Sequence, residues 1–136
     1  MRAVLDVNVL ISALLSSEGA PARIVLAWLS GTFELVVSPM LIEELRRALA
    51  YAKIRRRIPE ADAERFISIL LDGAIRIPDP EEVPPLRSSD AADDYLIGLA
   101  AASDALLVSG DGHLLKLADR APIHTPAEFA DMLTLD

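Results

Sequence analysis

Short, uninterrupted apolar runs recur along this chain, and each gives way to a stretch of helical periodicity. AVLDV at 3–7, FELVV at 33–37 and ALLV at 105–108 are the three firm runs; AIRI at 74–77 and Pro122 to His124 are shorter. Runs that are apolar at consecutive positions belong to strands covered on both faces, and strands alternating with helices build a parallel sheet. The helical stretches carry their own punctuation. One runs from Asn8 to Leu15. Pro21 suits the first turn of the next, Ala22 to Ser30, which Gly31 stops. Ser38-Pro39 opens a helix to about Tyr51, and Ile58-Pro59 opens one to about Asp72, ended by Gly73. Four prolines within 78–87 make a loop. Ser89 or Asp90 then caps a helix to about Ala102, a short helix covers Leu114 to Ala118, and Thr125-Pro126-Ala127-Glu128 is a capping box for the last. The expected fold is α/β: one three-layer domain over 1–136, its central parallel sheet of about four or five strands covered by helices on both faces.

At 136 residues the chain can bury roughly two-thirds of the surface its unfolded form would expose, so it needs no staple. It has none: zero cysteines exclude zinc fingers, iron–sulfur clusters, thiol catalysis and a disulfide scaffold together. A mean hydropathy of +0.35 excludes disorder. No apolar run reaches the ~18 residues of a membrane span. The start, MRAVLDVNVLISALLSSEG, is interrupted by Asp6 and Asn8 and lacks a small-x-small cleavage site, so it is expected to be mature structure in a cytoplasmic protein. Twenty-one acidic residues against 13 basic give a net charge of −8, which argues against a protein that simply coats nucleic acid. An enzyme that gathers carboxylates around metal is still allowed.

Where those carboxylates fall is informative. Ligands of open parallel sheets bind beyond the carboxyl ends of the strands. Asp6 ends the first apolar run, and Asp111 follows the ALLV run in a glycine-flanked turn. On the helix after Ser38, the buried stripe is Leu41, Leu45, Ala48 and Leu49; Glu44 lies on its shoulder and Glu43 nearly opposite. A carboxylate beside a buried face needs a partner, either Arg46 or Arg47 or something beyond the helix. Asp93-Asp94 opens a helix that is apolar almost all round, and periodicity does not choose between the two. Four carboxylates at ~6 Å separations repel by about 3 kcal/mol per pair at an effective dielectric near 20. A divalent cation justifies that cost. With no cysteine and only His113 and His124, Mg²⁺ or Mn²⁺ suits better than zinc.

Four segments together resemble a PIN domain, most of all the VapC-like toxin components of bacterial toxin–antitoxin systems. They are LDVNVLISALL at 5–15, SPMLIEELRRAL at 38–49, DDYLIGLAA at 93–101 and LLVSGDGHLL at 106–115, in family order and spanning most of the chain. The resemblance implies a metal-dependent ribonuclease. It assigns Asp6, Glu44, Asp94 and Asp111 as catalytic metal ligands for one or two Mg²⁺ or Mn²⁺ ions. Asn8 and Ser109 then support the cluster, and Asp93 and Asp90 are candidate auxiliary acids. Gly112-His113 departs from the family pattern, where a charged residue and a further aspartate are usual, so a fifth acid is missing. Other carboxylate or nucleotide sites fit worse. Asn8 stands where a haloacid-dehalogenase-type phosphotransferase needs its second acid, the early acidic pair and late lysine of a receiver domain are missing, and neither a glycine-rich first turn nor a GxxxxGK[ST] motif occurs. The rival from another class is a catalytically inert PIN-like module acting through protein or RNA association.

Substrate phosphates need positive charge. Arg46, Arg47, Lys53, Arg55, Arg56 and Arg57 form the one dense basic region and are the expected RNA-binding residues; the competing reading is a solvated surface run. Few aromatics make a base-stacking platform improbable. Apolar residues at Ile24, Val25, Ala27, Trp28 and Leu29, and at Phe66, Ile67, Ile69, Leu70 and Leu71, exceed one narrow stripe each. They suggest association, with Trp28 near an apolar interface. The resemblance implies a homodimer and an antitoxin that inhibits by occupying the acidic site.

Overall fold

The computed structural model describes residues 1–82 and 84–134. Val83, in the loop expected over 78–87, and Leu135 and Asp136, at the end of the expected domain, lie outside the described residues. The strands are β1 (Arg2–Leu5), β2 (Glu34–Val37), β3 (Ile75–Arg76), β4 (Leu106–Val108) and β5 (Ile123–His124). They form a single sheet in the order β3-β2-β1-β4-β5, with every pairing parallel. Ala3, Val4 and Leu5 are all fully buried. Because successive strand residues point to opposite faces, this burial shows helices covering both sides, as the continuous apolar runs require.

The helices are α1 (Val7–Leu15), α2 (Ala20–Leu29), α3 (Pro39–Leu49), α4 (Ala52–Arg55), α5 (Glu60–Gly73), α6 (Asp94–Ala102), α7 (Gly112–Leu115) and α8 (Pro126–Thr134). A 3₁₀ turn, Ala91–Asp93, precedes α6. Most caps act as expected. Ser38 Oγ accepts from the Leu41 amide at 3.3 Å, and Gly31 takes the left-handed conformation (φ 83°) just after α2. The capping box is reciprocal: Glu128 N donates to Thr125 Oγ1 at 3.1 Å and Thr125 N to Glu128 Oε1 at 2.8 Å. These bonds hold the Glu128 carboxyl below its usual pKa.

Three boundaries differ for physical reasons. The helix expected to reach Tyr51 stops at Leu49, and the chain restarts as α4. The helix expected from Ser89 or Asp90 begins instead as a 3₁₀ turn, capped by Asp90 through the Ala92 amide. The helix expected over Leu114 to Ala118 is shifted back to Gly112–Leu115, because Asp111 caps it through the His113 amide. No helix among the described residues is long and apolar enough to cross a membrane. α1 and α2 pass such a test only jointly, and they meet at 97°.

The strand order positions the site. From β1 the chain moves outward through β2 to β3, then returns to the far side of β1 as β4 and continues to β5. The reversal falls between β1 and β4, so the crevice at a topological switch point opens past Leu5 and Val108. Asp6 follows the first of these directly and Asp111 follows the second by three residues.

Candidate active site

Asp6 is anchored from behind. Its amide donates to the Val108 carbonyl at 2.9 Å, continuing the β1–β4 ladder, while its own carbonyl accepts from Val9 and starts α1. The side chain does not cap the helix. It turns to Ser109, whose Oγ donates to Asp6 Oδ2 at 2.7 Å and accepts from the Asp111 amide at 3.0 Å. The fully buried Ser109 thus ties together the turns after β1 and β4. Burial raises the Asp6 pKa, and the nearby Asp111 charge adds to this. Against these act the Ser109 hydroxyl and the backbone amides of Asn8 and Val7. Asn8 itself is exposed.

The aspartate pair left open by periodicity divides its work. Asp93 feels the charges of Asp111 and Asp6. Its pKa is pushed up to about 7, chiefly by burial, then by hydrogen bonding with Asp111 and the charges of Asp111, Asp6 and Asp90. Asp93 Oδ2 is buried without a hydrogen-bond partner. Asp94, 8% exposed, accepts from the Ser88 amide at 2.8 Å and lines a groove of about 540 Å³ shared with Glu44 and Tyr95. Asp111 Oδ1 is engaged by the His113 amide at 2.8 Å.

Glu44 is reached from α6. Tyr95 donates its hydroxyl to Glu44 Oε2 at 2.8 Å, and burial and this bond together push the phenol pKa up. The arginine partners open to Glu44 in the sequence are otherwise committed. Arg46 pairs with Glu64 at 3.1 Å, and Arg47 pairs with Glu43, which faces solvent as expected, at 3.3 Å. None of the ion pairs among the described residues includes Asp6, Glu44, Asp93, Asp94 or Asp111. Asp6 lies close enough for its charge to act on both Asp93 and Tyr95. The acids therefore form two adjoining groups, Asp6–Asp93–Asp111 and Glu44–Asp94.

Sequence reasoning missed Tyr95, Arg87 and Asp79. Arg87 is exposed on the lip of the groove. Asp79 Oδ2 accepts from the Met40 amide at the start of α3, at 2.9 Å. The proline-rich loop presses on α6, where a Cβ at Gly98 would come 3.4 Å from Pro80. One signal for Tyr95 was available: a tyrosine on an otherwise apolar helix needs a partner for its hydroxyl.

The basic residues are largely exposed, and several of their arginines are tied to the chain's own groups. Arg55 pairs with Glu60 at 3.5 Å and donates to the Leu49 carbonyl; Arg56 and Arg57 donate to the carbonyls of Ala52 and Leu15. Lys53 is exposed. Most of the expected surplus of apolar surface is absorbed as well. Ile24, Trp28, Phe66, Ile67 and Leu70 are core, whereas Leu26, Leu29 and Ile69 are 59%, 56% and 39% exposed.

Among the described residues, no three carboxylates or imidazoles stand close enough together to hold a metal ion as they are. The donor set nevertheless suits a hard cation. It is all oxygen, it lacks a basic partner, its burial disfavours charge, and Asp93 Oδ2 has no hydrogen bond to give up.

A PAE2754 structure from Pyrobaculum aerophilum matches with a TM-score of 0.68 and 21% identity, covering 100% of this chain and 91% of that one. A structure of VapBC2 from Rickettsia felis, bound to a DNA fragment from their promoter, matches with a TM-score of 0.60 and 14% identity, covering 92% and 98%. At these identities the two share a fold with this protein. No curated protein matches the sequence. The family model for the PIN domain matches residues 2–113, a span that includes all five acids of the site, and the chain belongs to the PIN domain family.

Proposed function

We propose that this chain is a metal-dependent endoribonuclease of the cytoplasm and the toxin of a toxin–antitoxin pair. PIN domains are generally nucleases. The observation that carries the reading is the bridge by which Ser109 joins Asp6 to the Asp111 backbone at the sheet's switch point, beside an Asp93 with one oxygen buried and unpartnered. Asp6, Glu44, Asp94 and Asp111 would hold one or two Mg²⁺ or Mn²⁺ ions, with Asp93 completing the cluster and Asn8 and Ser109 supporting it. When bound, the cation supplies Lewis acidity and a water of lowered pKa at the scissile phosphate. The protein's share is preorganisation. Ser109 holds the Asp6 carboxylate and the Asp111 backbone in one frame, Tyr95 holds Glu44, and Ser88 holds Asp94.

The test is incubation of RNA with the purified chain and sequencing of the new ends. Cleavage with Mg²⁺ or Mn²⁺ that stops in excess chelator is expected; full cleavage in chelator overturns the metal reading. The spread of the acids over two groups keeps one alternative alive, an inert module. Binding of RNA without cleavage at any metal concentration would select it.

RNA phosphates would run over the region of Arg46, Arg47, Lys53, Arg55, Arg56 and Arg57, whose arginines keep unused N–H donors beyond their internal bonds. Replacing Arg55, Arg56 and Arg57 by glutamine should weaken RNA binding about tenfold and lower the salt slope by about 2. An unchanged slope makes this ordinary surface.

An antitoxin would inhibit by pushing a basic side chain into the acidic site. The VapBC2 resemblance supports such a partner. The exposed Leu26, Leu29 and Ile69 are suited to association, either with it or in a homodimer.

A further inference from the structure

We infer that Tyr95 is a positioning residue for Glu44, setting the orientation in which that carboxylate meets a divalent cation; this rests on the metal-dependent reading above. Glu44 is partly buried on the shoulder of α3 and has no cationic partner among the described residues. Its side chain has three rotatable bonds, so holding it in one orientation needs a specific contact. The contact is Tyr95 O–H to Oε2, 2.8 Å, across 51 residues of sequence. It engages one oxygen and leaves Oε1 for other use. Tyr95 itself is well placed to impose direction. It has only two side-chain torsions, its ring packs against the core, and it follows Asp94 directly on α6. One hydroxyl therefore fixes the acid of α3 relative to those at the start of α6. Hydrogen-bond partners that orient metal ligands in this way typically change metal affinity by 10–100-fold when removed.

The experiment is a calorimetric Mn²⁺ titration of the RNA-free protein, with Tyr95→Phe, Glu44→Gln and the double variant. Both substitutions preserve size and shape, and a cooperative melt checks the fold. Tyr95→Phe should raise the Mn²⁺ dissociation constant about tenfold. It should also shift the Mn²⁺ concentration for half-maximal cleavage by a similar factor, with cleavage at saturating Mn²⁺ approaching that of the parent. Added to Glu44→Gln, it should change Mn²⁺ binding no further, because its effect runs through that carboxylate. Unchanged binding in Tyr95→Phe overturns the proposal and leaves the metal reading intact. So does a loss of equal size in the Glu44→Gln background, which would make Tyr95 a packing residue. A parent protein that binds no Mn²⁺ overturns the metal reading and this proposal with it.

Discussion

Asp6→Asn should reduce RNA cleavage on the order of a thousandfold and, in the same protein without metal, raise the melting temperature. The two effects have one cause. Asp6 is 7% exposed and lacks a cationic partner among the described residues, and burial raises its pKa. In the metal-free fold its surroundings therefore disfavour the ionised form of this carboxyl. Asparagine has nearly the same shape, is neutral, and keeps a carbonyl oxygen able to accept from Ser109. Relief of about 1 kcal/mol is expected, roughly 4 °C for a domain of this size. The same neutral oxygen is a poor ligand for Mg²⁺ compared with a carboxylate, which is why activity falls. Cleavage rates and thermal melts in chelator check both halves. Retained cleavage removes Asp6 from the site. A lower melting temperature would mean that the ionised carboxylate stabilises the fold.

How much of this was legible in the sequence depended on how local the determining interaction was. The sheet was legible because fully apolar runs demand burial on both faces, and Ala3, Val4 and Leu5 satisfy that demand. Asp6 and Asp111 were legible because each sits in a turn at the end of such a run. Glu44 was legible because α3 has a polar face against which a shoulder position stands out, and Glu43 pairs with Arg47 on the solvent side as that periodicity implies. The roles of Asp93 and Asp94 were not. Helix α6 is apolar nearly all round, so it gives no phase, and the preceding turn is 3₁₀, advancing ~120° per residue where an α-helix advances ~100°. The Tyr95–Glu44 and Arg46–Glu64 bonds are long-range and depend on which helices pack together. The apolar excess did not show which of its residues the fold itself buries, and Trp28 is one of them. The residue is 7% exposed, and its ring packs so closely on α5 that a Cβ at Gly73 would come 3.0 Å from it. A helix packed against two neighbours buries more than one stripe.

Acidifying the metal-free protein from pH 7 toward pH 4 should stabilise it, and Mg²⁺ should reverse the trend. Asp93 has a pKa of about 7 in the fold against an ordinary 3.8. Between those values the folded state binds more protons than the unfolded one, so stability falls as pH rises through the window. It is fully gained below the lower value and lost above the upper. Three pH units would correspond to about 4 kcal/mol. Because Asp93 is partly exposed and its titration is linked to the neighbouring Asp111 charge, screening reduces the expected change to about 1–2 kcal/mol. A bound cation requires the ionised carboxylates, so it competes with the proton and binds more tightly as pH rises. At a hundredfold excess over its dissociation constant it should add about 2.7 kcal/mol, most of it present at pH 7.5 and little at pH 4.5. Denaturant unfolding at several pH values, with chelator and with Mg²⁺, reads both slopes. Metal-free protein that loses stability between pH 7 and pH 5 would mean that Asp93 is ionised at neutral pH in the fold. A Mg²⁺ increment equal at pH 4.5 and 7.5 would mean that the cation binds away from these acids.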